Sequence, residues 1–349
     1  MKPKNAFIFA AILAIMASQV SGQAFMEILE GGWGQGRRFI RPCITDLDAD
    51  GLWDMFVGNA NGTLDHFRQE SPGSPSFSFF ADTLFGMDVG SYSSPVFIDL
   101  DHNGLLDLIV GELNGNLNHY EQAVAGSFDF TFITDSFSNI DLGDETAPAI
   151  TDLNADGLFD LIIGRGNGTL CHYVQDGIGS TSFSLISDQF NDIDVGWVAK
   201  HSFTSLFDDG LLDMIIGEQG GALLHYKQDS LGSSNFTLVS ENFNGFVSGG
   251  NSSPAFADIG RDGFEDLLIG TENGGIRYTL HKPAKVKITI CNMLGQRVRI
   301  LENSYKNQGD NMIKWDGTDE HGRSLAGGFY ICRLQTGSKQ KSVKLLLLK

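Results

Sequence analysis

The stretch Asp46-Leu47-Asp48-Ala49-Asp50-Gly51-Leu52-Trp53-Asp54 decides the fold, because the chain repeats it. Its acidic side chains at positions 1, 3, 5 and 9 supply hard oxygen atoms, and the glycine at position 6 permits a sharp turn. Calcium ions prefer several oxygen ligands and tolerate a flexible geometry. The stretch is therefore predicted to be a calcium-binding loop.

Four more copies of this loop follow at a constant spacing. Residues 99–107 and 152–160 keep the pattern, and residues 205–213 and 258–266 keep part of it. The turn glycines are Gly51, Gly104, Gly157, Gly210 and Gly263, so each lies 53 residues after the one before it. A period that is held along five units indicates a repeat architecture.

The residues that follow each loop exclude an EF-hand. An EF-hand needs a bidentate glutamate at position 12 and a helix on each side of the loop. Position 12 is aliphatic in every copy: Val57, Val110, Ile163, Ile216 and Ile269. Each loop runs into a short apolar segment, which predicts a buried strand. The loops are therefore predicted to connect the strands of β-hairpins.

Each unit predicts four short strands separated by turn residues, and this arrangement is typical of a β-propeller blade. The fifth unit supplies only three strands, whereas residues 25–29 are similar to the phenylalanine-rich fourth strands of the other units. We therefore predict an all-β fold in which residues 23–279 form a five-bladed β-propeller. Residues 25–29 are predicted to close it as the outer strand of the fifth blade.

The loop, the aliphatic run and a following Gly-x-x-x-Gly-x-Leu-x-x-Tyr pattern together resemble the FG-GAP/VCBS-type repeats of calcium-stabilised propellers, including those of integrin α-subunits. The resemblance implies one Ca²⁺ ion in the hairpin between the first and second strands of a blade. The implied ligands are four side chains and the seventh-position carbonyl of each intact loop: Asp46, Asp48, Asp50, Asp54 and Leu52; Asp99, Asp101, Asn103, Asp107 and Leu105; Asp152, Asn154, Asp156, Asp160 and Leu158.

The last two loops depart from this ligand set. In the fourth loop Ser205 and Phe207 replace two acidic residues, so we expect no Ca²⁺ there. The fifth loop has Gly260 at position 3. It keeps three acidic residues and is predicted to bind Ca²⁺ weakly, through Asp258, Asp262 and Asp266.

Residues 280–349 have a different pattern, with strands that alternate as if one face were buried. Their turn at 292–298, together with Trp315-Asp316-Gly317, Gly328-Phe329-Tyr330 and a terminal strand at 344–349, resembles the C-terminal sorting domain of the type IX secretion system. That resemblance implies an immunoglobulin-like β-sandwich that carries cargo across a bacterial outer membrane. The implied partner is the outer-membrane type IX secretion machinery.

The N-terminus predicts export. Lys2 and Lys4 precede an apolar run over residues 6–16, and small and polar residues follow as far as Gly22. Residues 1–22 are therefore predicted to be a secretory signal peptide, whose apolar run is too short for a permanent membrane anchor. No other segment predicts a transmembrane helix. The mature protein is predicted to be secreted or displayed on the cell surface.

The charge distribution argues against a nucleic-acid partner. The chain carries a net charge of −19, but residues 280–349 hold 13 basic and 5 acidic residues, a net charge of +8. The preceding residues therefore carry 11 basic and 38 acidic residues, a net charge of −27. A surface this acidic repels phosphate backbones. Much of the acidity belongs to the predicted calcium loops.

Several recurring polar residues are predicted to serve the fold. Histidines recur at one slot of the third strand (His66, His119, His172 and His225), and we expect them to pack with the neighbouring leucines. Aspartates recur in the links between units (Asp88, Asp141 and Asp194), and we expect them to form turns. Cys43 and Cys171 are predicted to stay reduced, and whether Cys291 and Cys332 pair is left open.

No catalytic motif stands out, so the sequence predicts a non-enzymatic binding or adhesion module for an extracellular protein or glycan. The alternative is a carbohydrate-active propeller, either a lectin or a polysaccharide lyase. A lyase would need a basic and aromatic cleft, for which four residues near the first unit are candidates: Trp33, Arg37, Arg38 and Arg41. The one irregular patch elsewhere contains Trp197, Lys200 and His201.

Overall fold

The computed structural model describes residues 25–30, 39–74, 77–81, 84–207, 209–243, 250–263, 265–271, 275–280, 282–326, 328–337 and 339–348. These residues form β-strands and loops, with three short 3-10 turns at Leu84–Gly86, Phe137–Asn139 and Phe190–Asp192. The predicted all-β class is confirmed. Among the described helical segments, none has the length and apolar character needed to cross a membrane.

The strands follow the repeat. Before the repeats lies β1 (Phe25–Glu30). Units one to four contain four strands each: β2 (Arg41–Thr45), β3 (Asp54–Gly58), β4 (Leu64–Gln69) and β5 (Phe77–Ala81); β6 (Ser94–Ile98), β7 (Asp107–Gly111), β8 (Leu117–Gln122) and β9 (Phe130–Thr134); β10 (Thr146–Thr151), β11 (Asp160–Arg165), β12 (Leu170–Gln175) and β13 (Phe183–Ser187); β14 (Lys200–Thr204), β15 (Asp213–Gly217), β16 (Leu223–Gln228) and β17 (Phe236–Ser240).

The remaining strands belong to the fifth unit and to the C-terminal region. The fifth unit contains β18 (Ser253–Ala257), β19 (Asp266–Gly270) and β20 (Gly275–Leu280). The C-terminal region contains β21 (Ala284–Asn292), β22 (Arg297–Lys306), β23 (Gly309–Lys314), β24 (Gly328–Thr336) and β25 (Lys339–Leu348).

Each of the first four units is a four-stranded antiparallel sheet whose strands lie side by side in chain order. The loops that are predicted to bind calcium connect the first and second strands of these units, as expected. The first five residues of each second strand are all buried. Apolar clusters cover both faces of this strand, as where Ile162 packs in one cluster and Leu161 and Ile163 pack in another. Clusters of buried apolar residues fill the space between successive sheets.

The first strands of the five units contact one another in succession. Strand β2 contacts β6, β6 contacts β10, β10 contacts β14, β14 contacts β18, and β18 contacts β2. The fifth unit therefore lies beside the first as well as beside the fourth.

One backbone interface recurs at each of these junctions. The glycine near the end of each second strand packs so closely that an added Cβ would lie 1.9–2.5 Å from a carbonyl oxygen of the next unit. The pairs are Gly58 with Ser93, Gly111 with Thr146, Gly164 with Ala199, Gly217 with Ser252, and Gly270 with Ile40. The last pair joins the fifth unit to the first, and the Ile40 amide also donates to the Thr271 carbonyl at 3.3 Å.

The N-terminal strand does not pair as predicted. Strand β1 runs parallel to β19 on one side and parallel to β25 on the other, so it takes the third position of the fifth sheet instead of the outer position. The predicted third strand, β20, forms but pairs with β23 of the C-terminal region. The edge of β19 is therefore open to β1. The 53-residue spacing contains no information about either partner.

The C-terminal region is joined to the fifth unit without a gap in the core. Strands β25, β24, β21 and β22 extend the fifth sheet through β1, and β20 with β23 forms a second small sheet. One apolar cluster runs from Leu267 and Ile269 to Ile288, Trp315 and Leu345. The predicted domain boundary between residues 279 and 280 thus falls inside β20.

The strand register keeps two cysteines apart. Cys291 lies opposite Ile331, and Cys332 lies opposite Ile290. Directly opposed residues share a face of an antiparallel sheet, so Cys291 and Cys332 point to opposite faces. All four cysteines of the chain are thiols in the structure.

Candidate calcium loops and an axial charge cluster

Each loop is shaped by backbone hydrogen bonds to its own acidic residues. The residue at position 4 has a positive φ, with values of 52–60° at Ala49, His102, Ala155 and Arg261, and the glycine at position 6 follows with a positive φ. This turn aims the position-6 amide at the position-1 carboxylate, as from Gly104 to Asp99 at 3.0 Å. The backbone thus holds the first acidic side chain over the loop.

The acidic side chains converge in the first two loops. One carboxylate oxygen each from Asp46, Asp48 and Asp54 lies within 4.8 Å of the others, and the same holds for Asp99, Asp101 and Asp107. In the third loop the Asp152 carboxylate accepts hydrogen bonds from the backbone amides of Asp156 and Gly157. In the fifth loop Asp258 likewise accepts hydrogen bonds from the amides of Asp262 and Gly263.

The donor set fits a calcium ion. Every side chain at these positions offers oxygen, which suits Ca²⁺ better than a softer metal. In the first loop Asp46 Oδ1 is buried and has no hydrogen-bond partner, so this oxygen has a lone pair available for a cation. The residues that would hold the ion are those predicted at positions 1, 3, 5 and 9, with the carbonyl at position 7. A bound ion would neutralise the facing carboxylates and stiffen the hairpin.

The recurring histidines do more than pack. Each is buried, and its Nε2 lies 2.6–2.7 Å from Oδ1 of the position-9 aspartate. The pairs are His66 with Asp54, His119 with Asp107, His172 with Asp160, and His225 with Asp213. The other oxygen of each aspartate accepts from the amide at position 2 of the loop. Each histidine therefore fixes the orientation of a predicted calcium ligand, the position-9 aspartate.

This role was missed in the sequence, although a signal was present: each histidine follows its aspartate by 12 residues. The fourth unit shows that the position-9 aspartate has a structural role apart from metal binding. Asp213 keeps both contacts, to His225 and to the Leu206 amide, although its loop lacks two acidic residues. Position 9 thus stabilises the hairpin independently of any metal.

A recurring glutamine ties four of the five loops to the next unit, and this too was missed. Gln122, Gln175 and Gln228 each donate to the position-2 carbonyl of the preceding loop, at 2.7–3.2 Å. Gln69 of the first unit donates in the same way to Ile259 of the fifth, at 3.1 Å. All four glutamines are nearly fully buried. The candidate calcium loops therefore lie at the junctions between units.

The structure brings together charged residues that are far apart in the sequence. Arg41, which is 1% exposed, donates to the Glu145 carboxylate and to the Tyr92 carbonyl, the latter at 2.5 Å. The ammonium of Lys200 lies 4.0 Å from the same Glu145 carboxylate. Arg41 and Lys200 are the first residues of β2 and β14, and Glu145 immediately precedes β10. We call Arg41, Glu145 and Lys200 the axial cluster.

The axial cluster is a buried structural ion network. Burial lowers the pKa of the Arg41 guanidinium, and the Glu145 carboxylate beside it opposes that shift. Aromatic rings cover the cluster, with Arg41 lying 5.8 Å from the Tyr92 ring centre and Lys200 lying 5.9 Å from that of Phe39. Arg41 therefore does not line an open basic cleft. The other three candidates for such a cleft, Trp33, Arg37 and Arg38, lie outside the described residues.

The aspartates in the links between units form turns, as predicted. The Oδ1 atoms of Asp88, Asp141 and Asp194 accept from the amides of Gly90, Gly143 and Gly196 at 2.8–3.0 Å. These contacts are local turns of the kind that aspartate forms with its own backbone.

His201 stands where the other units have proline, at Pro42, Pro95, Pro148 and Pro254. Burial lowers its pKa from 6.5 to about 4, because the charged imidazolium is poorly solvated there. The unfolded chain therefore binds more protons than the folded chain between these pH values, so stability falls as the pH falls through this window.

We predict that His201→Pro removes a stability loss of about 3 kcal/mol between pH 6.5 and pH 4. The four equivalent prolines show that this backbone position accepts proline. Urea unfolding of both proteins at each half pH unit measures the difference between them. Parallel pH profiles would contradict the prediction.

Similarity to known families covers two parts of the chain. A model of the FG-GAP-like repeat matches residues 46–110 and 99–163, and a model of the FlgD Ig-like domain matches residues 265–340. No curated protein matches the chain. The first match supports the predicted FG-GAP-like repeats, and the second supports an Ig-like C-terminal region.

Several solved structures are similar at low identity. The catalytic domain of the GH62 α-L-arabinofuranosidase from Coprinopsis cinerea has a TM-score of 0.43 at 12% identity, over 92% of this chain and 95% of that one. AofleA from Arthrobotrys oligospora has a TM-score of 0.43 at 7% identity, over 90% and 91%. The fucose-specific lectin from Aleuria aurantia has a TM-score of 0.41 at 10% identity, over 89% and 97%. At these TM-scores the similarity carries no argument about this chain.

Proposed function

We propose that this protein is a calcium-stabilised, five-bladed FG-GAP-like propeller that acts as an exported binding or adhesion module. The observation that carries the proposal is the convergence of acidic oxygens in the loops at the junctions between units. An ion bound there would stabilise two neighbouring blades at once, since the glutamine of one unit holds the loop of the unit before it.

The five-bladed ring is supported by the contacts between the fifth and first units. The Gly270–Ile40 packing and the Gln69–Ile259 hydrogen bond repeat what is found at the other junctions. The axial cluster links the first, third and fourth units across the ring. The glycine–carbonyl packing recurs at all five junctions, which supports closure of the ring by five blades.

Export is proposed from the sequence. The predicted signal peptide at residues 1–22 lies outside the described residues. The proposed sorting role of residues 280–349 rests on the type IX resemblance, and the FlgD Ig-like match supports only the domain class. The proposed location is the exterior of a bacterial outer membrane, either released or attached.

We propose binding rather than catalysis because the acidic residues are committed to the loops and to their histidines. An exposed aromatic ring offers a contact for a ligand: Trp197 is 63% exposed and lies three residues before Lys200 of the axial cluster. Indole rings on protein surfaces serve both protein partners and sugars. This ring is also the specific observation that favours the glycan-binding alternative.

We predict calcium-dependent ligand binding that is weakened about tenfold or more by Trp197→Ala, the scale of one interface hot spot. Glycan arrays and extracellular-protein arrays probed in millimolar Ca²⁺ and again in chelator measure it. Leu231→Ala is a suitable control, since Leu231 is 77% exposed and lies in the loop between β16 and β17. Binding that persists unchanged in chelator, or turnover of a bound glycan, would contradict the proposal.

A further inference from the structure

One slot on the third strand differs in charge from unit to unit. It lies two residues after the recurring histidine and is occupied by Arg68, Glu121, Val174 and Lys227 in units one to four. In each unit this residue lies directly opposite the position-9 aspartate, as in the pairs Asp54–Arg68 and Asp107–Glu121. Directly opposed residues share a face of the sheet, so this slot faces its own calcium loop.

In the first loop the slot supplies a cation. Arg68 Nη2 lies 2.5 Å from Oδ2 of Asp48 and 2.5 Å from Oδ2 of Asp50. Its Nε lies 4.0 Å from Oδ1 of Asp54. The guanidinium thus contacts the predicted ligands at positions 3, 5 and 9. A second guanidinium, from Arg261 of the fifth loop, donates to the Gly51 carbonyl of this loop.

In the second loop the slot supplies an anion. Glu121 Oε1 accepts from Asn103 Nδ2 at 2.8 Å, so its carboxylate lies beside the predicted position-5 ligand. In the third unit the slot is the neutral Val174. In the fourth unit Lys227 donates to Asp209, in the loop that has lost two acidic residues. The slot therefore provides positive, negative, neutral and positive side chains in turn.

We infer that the residue in this slot sets the Ca²⁺ affinity of its loop, in the order second loop, third loop, first loop. The inference rests on the proposed calcium function. An ion in the first loop must displace the Arg68 guanidinium and break its charge-assisted hydrogen bonds to Asp48 and Asp50. An ion in the second loop gains the Glu121 carboxylate as a nearby charge or an added ligand. The first loop is thus neutralised by its own arginine.

Three full-length proteins that each keep one intact loop would test this order. All three carry Asp258→Ala, which disables the weak fifth loop. Asp99→Ala with Asp152→Ala then isolates the first loop, Asp46→Ala with Asp152→Ala the second, and Asp46→Ala with Asp99→Ala the third. Calorimetric titration with CaCl₂ gives the affinity of each. We expect the second loop to bind at least tenfold more tightly than the third, and the third at least tenfold more tightly than the first.

Exchanging the slot residues between the first and third loops then tests the effect of this residue alone. Arg68→Val in the first-loop protein should tighten Ca²⁺ binding at least tenfold, and Val174→Arg in the third-loop protein should weaken it at least tenfold. Valine is the natural residue of the third unit, so the first exchange introduces no foreign side chain. Lys227→Val is the control, because the fourth loop lacks ligands at positions 1 and 3 and should still bind no Ca²⁺.

The outcomes separate the inference from the function on which it rests. Tighter binding after Arg68→Val together with weaker binding after Val174→Arg supports the inference. Affinities that change less than twofold in both exchanges overturn it and leave the calcium function standing. The absence of Ca²⁺ binding in all isolated loops, before and after the exchanges, overturns both.

Discussion

Gly270→Ala is expected to destabilise the protein by more than about 3 kcal/mol. The added Cβ would lie 2.1 Å from the Ile40 carbonyl oxygen, a backbone atom that cannot turn aside. Relief requires the first and fifth units to separate, which also weakens the hydrogen bond from the Ile40 amide to the Thr271 carbonyl. Urea unfolding in saturating Ca²⁺ measures the loss of stability.

Two matched substitutions make this test specific for ring closure. Gly111→Ala should cost as much, because its Cβ would lie 2.5 Å from the Thr146 carbonyl at an interior junction. Gly177→Ala should cost little, since no atom lies within 4 Å of its added Cβ. A Gly270→Ala protein as stable as Gly177→Ala, beside a destabilised Gly111→Ala protein, would show that the fifth unit is not closed on the first.

Removal of calcium is expected to lower stability by about 4 kcal/mol and the melting temperature by about 10 °C. Extracellular modules bind Ca²⁺ with dissociation constants of about 10⁻⁴–10⁻³ M. At a Ca²⁺ concentration about tenfold above the dissociation constant of the third loop, the inferred tenfold steps in affinity give about 2.7, 1.4 and 0.4 kcal/mol for the second, third and first loops, which add up to roughly 4 kcal/mol. Thermal unfolding in Ca²⁺ and in chelator measures the difference.

Substitutions in single loops show how much each loop contributes to the stability that is lost on calcium removal. Asp152→Ala should remove roughly one third of the response to chelator, because it disables one of three sites. Asp209→Asn is the matched control in the fourth loop, where Ser205 and Phe207 replace two ligands, and it should leave the response unchanged. Equal responses from both proteins would mean that the ligand assignment is wrong.

The repeat made much of the fold predictable. Hairpins, strand order within a unit and the turns at Asp88, Asp141 and Asp194 are local features, and a period of 53 residues reports each of them several times. The position-9 aspartates were predicted only as metal ligands. Their partnership with the histidines follows from the strand register, which places a side chain of β4 beside one of β3.

The remaining features depend on contacts between distant parts of the chain. Arg41 and Glu145 are 104 residues apart, and only the succession of five first strands brings them together with Lys200. The place of β1 depends on β20, because β20 pairs with β23 of the C-terminal region and the edge of β19 is then open to β1. A strand pattern predicts that a segment is extended, but it does not specify which edge is open to it.

The calcium content of the full-length protein tests the central claim most directly. Equilibrium dialysis in millimolar Ca²⁺ followed by elemental analysis gives the number of ions per chain. The account predicts about three bound ions, one for each loop that keeps all its ligands. A content of one ion or none would contradict it, since the second and third loops, which the inferred order makes the tighter sites, would account for two.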